Sequence, residues 1–268
     1  MAISQSIKRA CRRYEDVKVD GLTLYPILVE EMETFEIARP SIDIVQQSLP
    51  VAYAAMPLLA AYYKMDHSAM ERGEEPVGLL SRALLMLALS LRLGKGGTLE
   101  ERLRQFRCRV DKQDPSRLTG VEFLLNGEEL WCVTPVQFQL IREVIAEQNG
   151  IELTPLEANP ELVEAQRLLA DMNGGAQLSG DQWERVATVA ALEHVDEAEI
   201  DRWPIRKLLE KGKTWQRIVG YAVCSVAEAQ GTKWNRGNPY PSLFYSRENE
   251  GNTALRPVEE TTRGMGQA

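Results

Sequence analysis

The residues of this chain that could do chemistry are two histidines, four cysteines and three acidic clusters. His67 and His194 stand far apart, and neither belongs to an HxxxH or HExxH pattern. Neither has a cysteine at metal-ligand spacing, so the expectation is no metal site and no histidine-based catalysis. The clusters Glu30-Glu31-Glu33, Glu74-Glu75 and Asp196-Glu197-Glu199 could pair carboxylates for acid–base work. All three lie in polar contexts, without the apolar surroundings that split carboxyl pKa values. Solvated helix faces and helix N-termini account for them. No GxSxG is present, and the spacing suggests no Cys–His pairing. The run Gly94-Lys95-Gly96-Gly97 places its lysine before the glycine pair and follows a helix pattern. A phosphate loop needs GxxxxGK and Ser or Thr after a strand, so this run reads as a link and not a nucleotide site. The residues therefore point to no catalytic site and no cofactor.

Totals narrow the class. With 268 residues, 44% of them hydrophobic, the chain can bury one large core or two small ones. A net charge of −8 argues against nucleic acid as the main partner, because phosphate neutralisation needs clustered Lys and Arg. A local basic patch stands at Lys8, Arg9, Arg12 and Arg13. Cys11, Cys108, Cys132 and Cys224 form no CxxC, which fits a reduced, cytosolic protein. No apolar stretch follows the N-terminal charges, so no signal peptide is expected. Val77 to Leu93 is the most apolar run, yet it carries Arg82 and Arg92 and is short for a membrane span. It reads as a buried helix.

The elements that would hold these residues are mostly helical. Ser4 to Tyr14 suggests a short basic helix. Val17 to Tyr25 alternates on both sides of Asp20-Gly21, a hairpin signal, and Pro26 could open a helix at its first turn. Helices broken at Pro40 and Pro50 follow, with Ser41 as the cap of the second and Val51 to Tyr63 as the third. Asp66 to Pro76 reads as a polar loop holding His67. Past the glycine run, Phe106 to Val110 is a strand, and Val121 to Leu125 and Glu129 to Val133 flank a second hairpin turn at Asn126-Gly127. Thr134-Pro135 caps and opens a helix that Asn149-Gly150 ends. Further helices are expected over Pro160–Met172, Gly180–His194, Glu197–Lys211 and Thr214–Ala229. The fold class is mainly α with two short β-hairpins, α+β, as a helical bundle with an extended aromatic C-terminal arm. The division expected is 1–94, 98–245 with the arm, and a disordered tail at 246–268.

The chain concentrates its large rings near its end. Three of five tryptophans, Trp203, Trp215 and Trp234, lie between Asp196 and Tyr245. Ile218, Val219, Ala222, Val223 and Val226 sit at helical spacing and read as a core-facing stripe. Trp183 and Trp215 are expected to face inward. Gly231 ends the helix, and an arm among Gly, Asn and Pro follows. Its Trp234, Tyr240, Phe244 and Tyr245 either fold back over the chain's own core or dock on another subunit. They are the candidate partner-binding residues.

Two stretches carry a resemblance. Gly21-Leu22-Thr23-Leu24-Tyr25-Pro26, followed by proline-broken helices through Leu49-Pro50, and the ending from Gly231 to Tyr245 are similar to proteins of bacteriophage and prophage tail-morphogenesis regions in Gram-positive bacteria. The chain resembles their tail assembly chaperones. That resemblance implies a helical, non-enzymatic protein of the bacterial cytoplasm that binds the tape measure protein or another tail component, with a homo-oligomer open and no membrane or nucleic acid partner. It transfers no functional residue. Many such chaperones are shorter, which keeps a structural component of the tail or capsid as the alternative. An enzyme built on scattered carboxylates is the remaining one.

Overall fold

A computed structural model describes residues 3–44, 49–125, 127–153, 182–234 and 238–244. The fold is mainly α, with a two-stranded and a three-stranded antiparallel sheet among the described residues. The chain divides into two compact units, Met1–Thr154 with Pro204–Arg206, and Pro155–Trp203 with Lys207–Ala268.

The first unit begins with α1 (Gln5–Arg12), whose N-cap Ser4 accepts a hydrogen bond from the Ile7 amide. Strands β1 (Val17–Val19) and β2 (Leu22–Leu24) then pair across Asp20 and Gly21. Both turn residues have positive φ, 48° and 89°, as the hairpin signal requires. Gly21 is needed twice over, since a Cβ there would stand 2.9 Å from the ring of Trp131.

Pro26 does not open a helix. Ile27 and Leu28 stay outside regular helix, and a short 3-10 turn at Val29–Glu31 leads into α2 (Met32–Ala38). The reason is tertiary: the Ile27 amide donates to Asn149 Oδ1 at 3.1 Å and its carbonyl accepts from the Ile205 amide at 2.9 Å. Pro40 instead opens α3 (Pro40–Asp43), so Ser41 is buried inside that helix and donates to the Ala38 carbonyl. The helix ends at Asp43, where Ile44 turns to an extended backbone.

After α4 (Val51–Ala54), helix α5 (Leu58–Glu71) runs through half of the segment expected to be a loop. Asp66 explains the extension, because it is buried and accepts from the Gly78 amide at 3.1 Å. Its polarity serves the interior. Helix α6 (Leu79–Leu91) buries ten of its thirteen residues and packs on α2, α3, α5 and β2. Helix α7 (Leu99–Leu103), closed by a Thr98–Glu101 capping box, also packs on α6.

Strands β3 (Phe106–Val110), β4 (Leu118–Leu125) and β5 (Glu129–Val133) form the larger sheet, with β4 central. Phe106 and Phe123, paired across it, meet edge-on at 5.6 Å. Helix α8 (Pro135–Asn149) has the expected ends: a Thr134–Gln137 capping box, Pro135 in the first turn, and Gly150 at φ 70°.

The boundary expected near residues 94–98 is not where the units divide. Buried polar contacts cross it. Arg102, 2% exposed, grips Glu31 with one nitrogen 2.7 and 2.8 Å from the two carboxylate oxygens. Arg142 donates to the Ile42 and Ile44 carbonyls, at 2.7 and 2.9 Å. Gln148 donates to the Leu24 carbonyl at 3.1 Å. The glycine run is thus internal to the first unit, and Gly94 lies against Arg102.

The second unit contributes α9 (Gln182–Glu193), α10 (Glu197–Ile200) and most of α11 (Ile205–Ala229). Pro204 breaks the chain before α11, which then continues through Gly212. The helix expected over Glu197–Lys211 is therefore split, and its second part runs on without a break into the one expected over Thr214–Ala229. An interior glycine costs only about 1 kcal/mol, too little to end a helix held at both flanks. The helix expected at Pro160–Met172 and the tail at 246–268 lie outside the described residues.

Candidate interaction surface

The residues singled out for chemistry are dispersed, and several of them have local partners. His67 lies on α5, its Nδ1 3.6 Å from Glu71 and its ring 5.9 Å from that of Tyr63. His194 ends α9 with a left-handed backbone, φ 57°. Glu30 pairs with Lys95 at 2.9 Å, Glu31 with Arg102, and Glu74 with Arg72 at 2.7 Å. Asp196 caps α10 by accepting from the Ala198 amide at 2.8 Å. Lys95, the cation of the glycine run, is thus engaged with Glu30, in a shallow hollow also lined by Pro26, Leu89 and Arg92. No group of three metal-ligating side chains occurs among the described residues. Cys11 is buried, and burial with the nearby Glu147 carboxylate pushes its thiol up to about 11. Such a thiol is protonated and inert at neutral pH.

The second unit differs in kind. Helix α11 starts well anchored: Ile205 and Leu208 are buried, and Lys207 stands 3.5 Å over the Trp203 ring. Lys211 and Trp215 both donate to Glu193 of α9, at 2.7 and 2.8 Å. Those bonds hold the Glu193 carboxyl below its ordinary value. Trp215 is half-buried, as a packing residue should be, but Trp183 is 49% exposed and does not face inward.

Further along, the stripe expected to face the core faces outward, except for the half-buried Ile218. Val219, Val223 and Val226 are 54%, 62% and 58% exposed, and Ala222 is exposed as well. Only Cys224 is buried along this stretch. Periodicity identified an apolar face correctly, but it carries no information about what lies against that face. At 3.6 residues per turn, Trp215, Gln216, Val219, Ala222, Val223, Val226 and Gln230 share one half of the helix. From Gly212 to Gln230 that half carries no charge, since Lys213, Arg217 and Glu228 fall on the other half.

The aromatic arm meets the same helix. Gly220 admits the ring of Tyr240 so closely that a Cβ would stand 2.7 Å from Cε2. Sequence reasoning missed this contact, although a glycine in mid-helix is a recognised sign of close approach. Trp234 is half-buried, with its indole nitrogen enclosed and without a hydrogen-bond partner. Phe244 is 90% exposed and Leu243 42%. Tyr245 lies outside the described residues. The structure thus lays Tyr240 on α11, half-buries Trp234 and leaves Phe244 projecting.

Among the described residues no helix is long and apolar enough to cross a membrane. Compared with protein-family models, with curated proteins and with solved structures, the chain matches none of them.

Proposed function

We propose that the chain is a non-enzymatic assembly protein of the phage-tail chaperone kind, which works in the cytoplasm of the bacterial host and binds a helical tail component such as the tape measure protein. The observation that carries this reading is the charge-free, outward half of α11, with Val219, Val223 and Val226 more than half exposed. Water-exposed apolar residues grouped on one helix face are a surface for another protein. A client helix laid along the face would bury these valines, and the exposed Phe244 of the arm offers an aromatic anchor of its own.

Co-expression with the neighbouring tail genes, followed by affinity capture on the tagged chain, tests the reading. Stoichiometric recovery of a tail protein, lost when Val223 is changed to Glu, is the expected result. A chain recovered alone from every combination overturns it. Mass spectrometry of purified particles then separates a chaperone, absent from the particle, from a structural component present at many copies.

A further inference from the structure

We infer that the charge-free half of α11 is also a self-association face, covered in the purified protein by the same face of a second copy in antiparallel orientation. The inference needs only the exposed face and stands apart from the identity of any client.

The spacing is the first support. Leu208, Gly212, Trp215, Val219, Ala222, Val226 and Ala229 follow one another at alternating steps of four and three. This is the 3.5-residue period of helices that wind around a partner helix. The first part of the stripe is covered within the unit, with Leu208 buried and Trp215 half-buried and bonded to Glu193. The last part, from Val219 to Ala229, emerges uncovered. The small residues Ala222 and Ala229 would let a facing backbone approach closely.

Charge selects the occupant. A surface without a charge on half its circumference rejects a charged surface, whose ions would lose water without gaining a partner. The face itself meets the requirement it imposes. Val223 is its midpoint: Gln216 and Gln230 stand seven residues to either side of it and are both exposed. Antiparallel pairing about Val223 therefore sets each Gln216 against the other copy's Gln230, and side-chain amides can donate and accept to one another. It also opposes the two helix dipoles. A two-fold contact of this type closes on itself and stops at a dimer.

Area sets the strength. From Gly212 to Gln230 the helix extends about 28 Å at 1.5 Å per residue, so one face falls below the roughly 800 Å² per partner of a standard interface. A contact of that size belongs to the weak, transient class, so concentrations of roughly 10–100 μM are the range in which to look for the dimer.

Sedimentation velocity on the full chain between about ten times below and ten times above that range tests the inference, with disulfide trapping for orientation. The wild type is expected to shift from monomer to dimer. Val223→Glu is expected to remain monomeric with an unchanged circular dichroism spectrum, since the position is already exposed to water. Val51→Glu, at a 94% exposed valine of the first unit, should dimerise as the wild type does. In a Cys108→Ser background, Val223→Cys should oxidise to a covalent dimer and Gln216→Cys should not. A wild type that stays monomeric, association untouched by Val223→Glu, or equal trapping through Gln216→Cys would each overturn it. Client capture without dimerisation would sink this inference and leave the proposed function standing; dimerisation without client capture would do the reverse.

Discussion

Helices α6 and α11 carry apolar runs that look alike in the sequence and end in opposite environments. From Leu79 to Leu91 the chain buries ten residues against α2, α3, α5, α7 and β2. From Ile218 to Ala227 it places a second apolar run, this one without a charge, on a helix, yet only Cys224 is buried there. The comparison teaches that an apolar helix face states a need for a neighbour without saying which molecule supplies it. In α6 the neighbours come from the chain, and the face is core. In α11 the outward valines are left to water, and the face is available.

The sharpest way to break that comparison is a pair of truncations. Leu87→Ala in α6 removes a fully buried side chain and should cost about 3–5 kcal/mol in denaturant unfolding. Val223→Ala in α11 should change stability by less than about 0.5 kcal/mol, because the valine is 62% exposed. Similar losses at both positions would show that the α11 face is covered after all.

Second in size is the buried guanidinium of Arg142. It is 6% exposed and donates to the carbonyls of Ile42 and Ile44, at the end of α3. Burial pulls its pKa down, yet the two carbonyls hold it in place beside Tyr62, whose hydroxyl donates to the Ser41 carbonyl at 2.8 Å. Arg142→Ala leaves buried carbonyls without donors and should cost about 2–4 kcal/mol. Thermal unfolding in the first unit measures it, and a loss below 1 kcal/mol would mean that water replaces the guanidinium.

How much of this was legible in the sequence depends on range. The Asp20-Gly21 turn, the Thr134-Pro135 helix start and the Gly150 stop all rest on contacts within a few residues, and each stands where local chemistry put it. The polar segment after Asp66 misled, because an acidic residue that bonds the Gly78 amide from inside the fold has the same letter as a solvated one. Glu31 and Arg102 are 71 residues apart and nothing in either neighbourhood announces the other. For the candidate site, the residue types and spacing of Val219, Val223 and Val226 were visible, but their exposure was not. Exposure is a property of what is absent around a helix, and a single chain does not spell that out. The arm was half legible: rings rich in contact area foretold docking, and Gly220 held the unread clue to where Tyr240 sits.

The third prediction exploits that clue. Gly212 and Gly220 both lie inside α11, and replacing an interior glycine by alanine favours a helix by about 1 kcal/mol. Nothing stands within 4 Å of a Cβ at Gly212, so Gly212→Ala should raise the melting temperature and leave the arm alone. At Gly220 a Cβ meets the Tyr240 ring, so Gly220→Ala should displace the arm and forfeit much of that gain. Limited proteolysis between Trp234 and Phe244 reads the difference: faster cleavage in Gly220→Ala alone is expected. Equal cleavage in both variants would show that Tyr240 does not secure the arm.

The smallest expected effect concerns the staple between α9 and the anchored end of α11. Glu193 accepts from Lys211 Nζ at 2.7 Å and from Trp215 Nε1 at 2.8 Å. Both bonds favour the ionised carboxylate, and its folded pKa lies below the ordinary 4.5. A carboxyl depressed in the folded state adds stability that is complete above the unfolded value and disappears as pH falls through the folded one. The staple therefore contributes fully at neutral pH and fades below about pH 4.5. Solvent reaches this pair, so its worth is only about 0.5–1 kcal/mol. Glu193→Gln should lose that amount at pH 7 and less at pH 3, because the wild-type carboxyl takes up its proton as the pH falls through its lowered value. Urea titrations at the two pH values measure the gap. A gap that persists undiminished at pH 3 would mean that the carboxylate charge is not what joins α9 to Lys211 and Trp215, and shape alone would then set where the covered half of α11 ends and the open half begins.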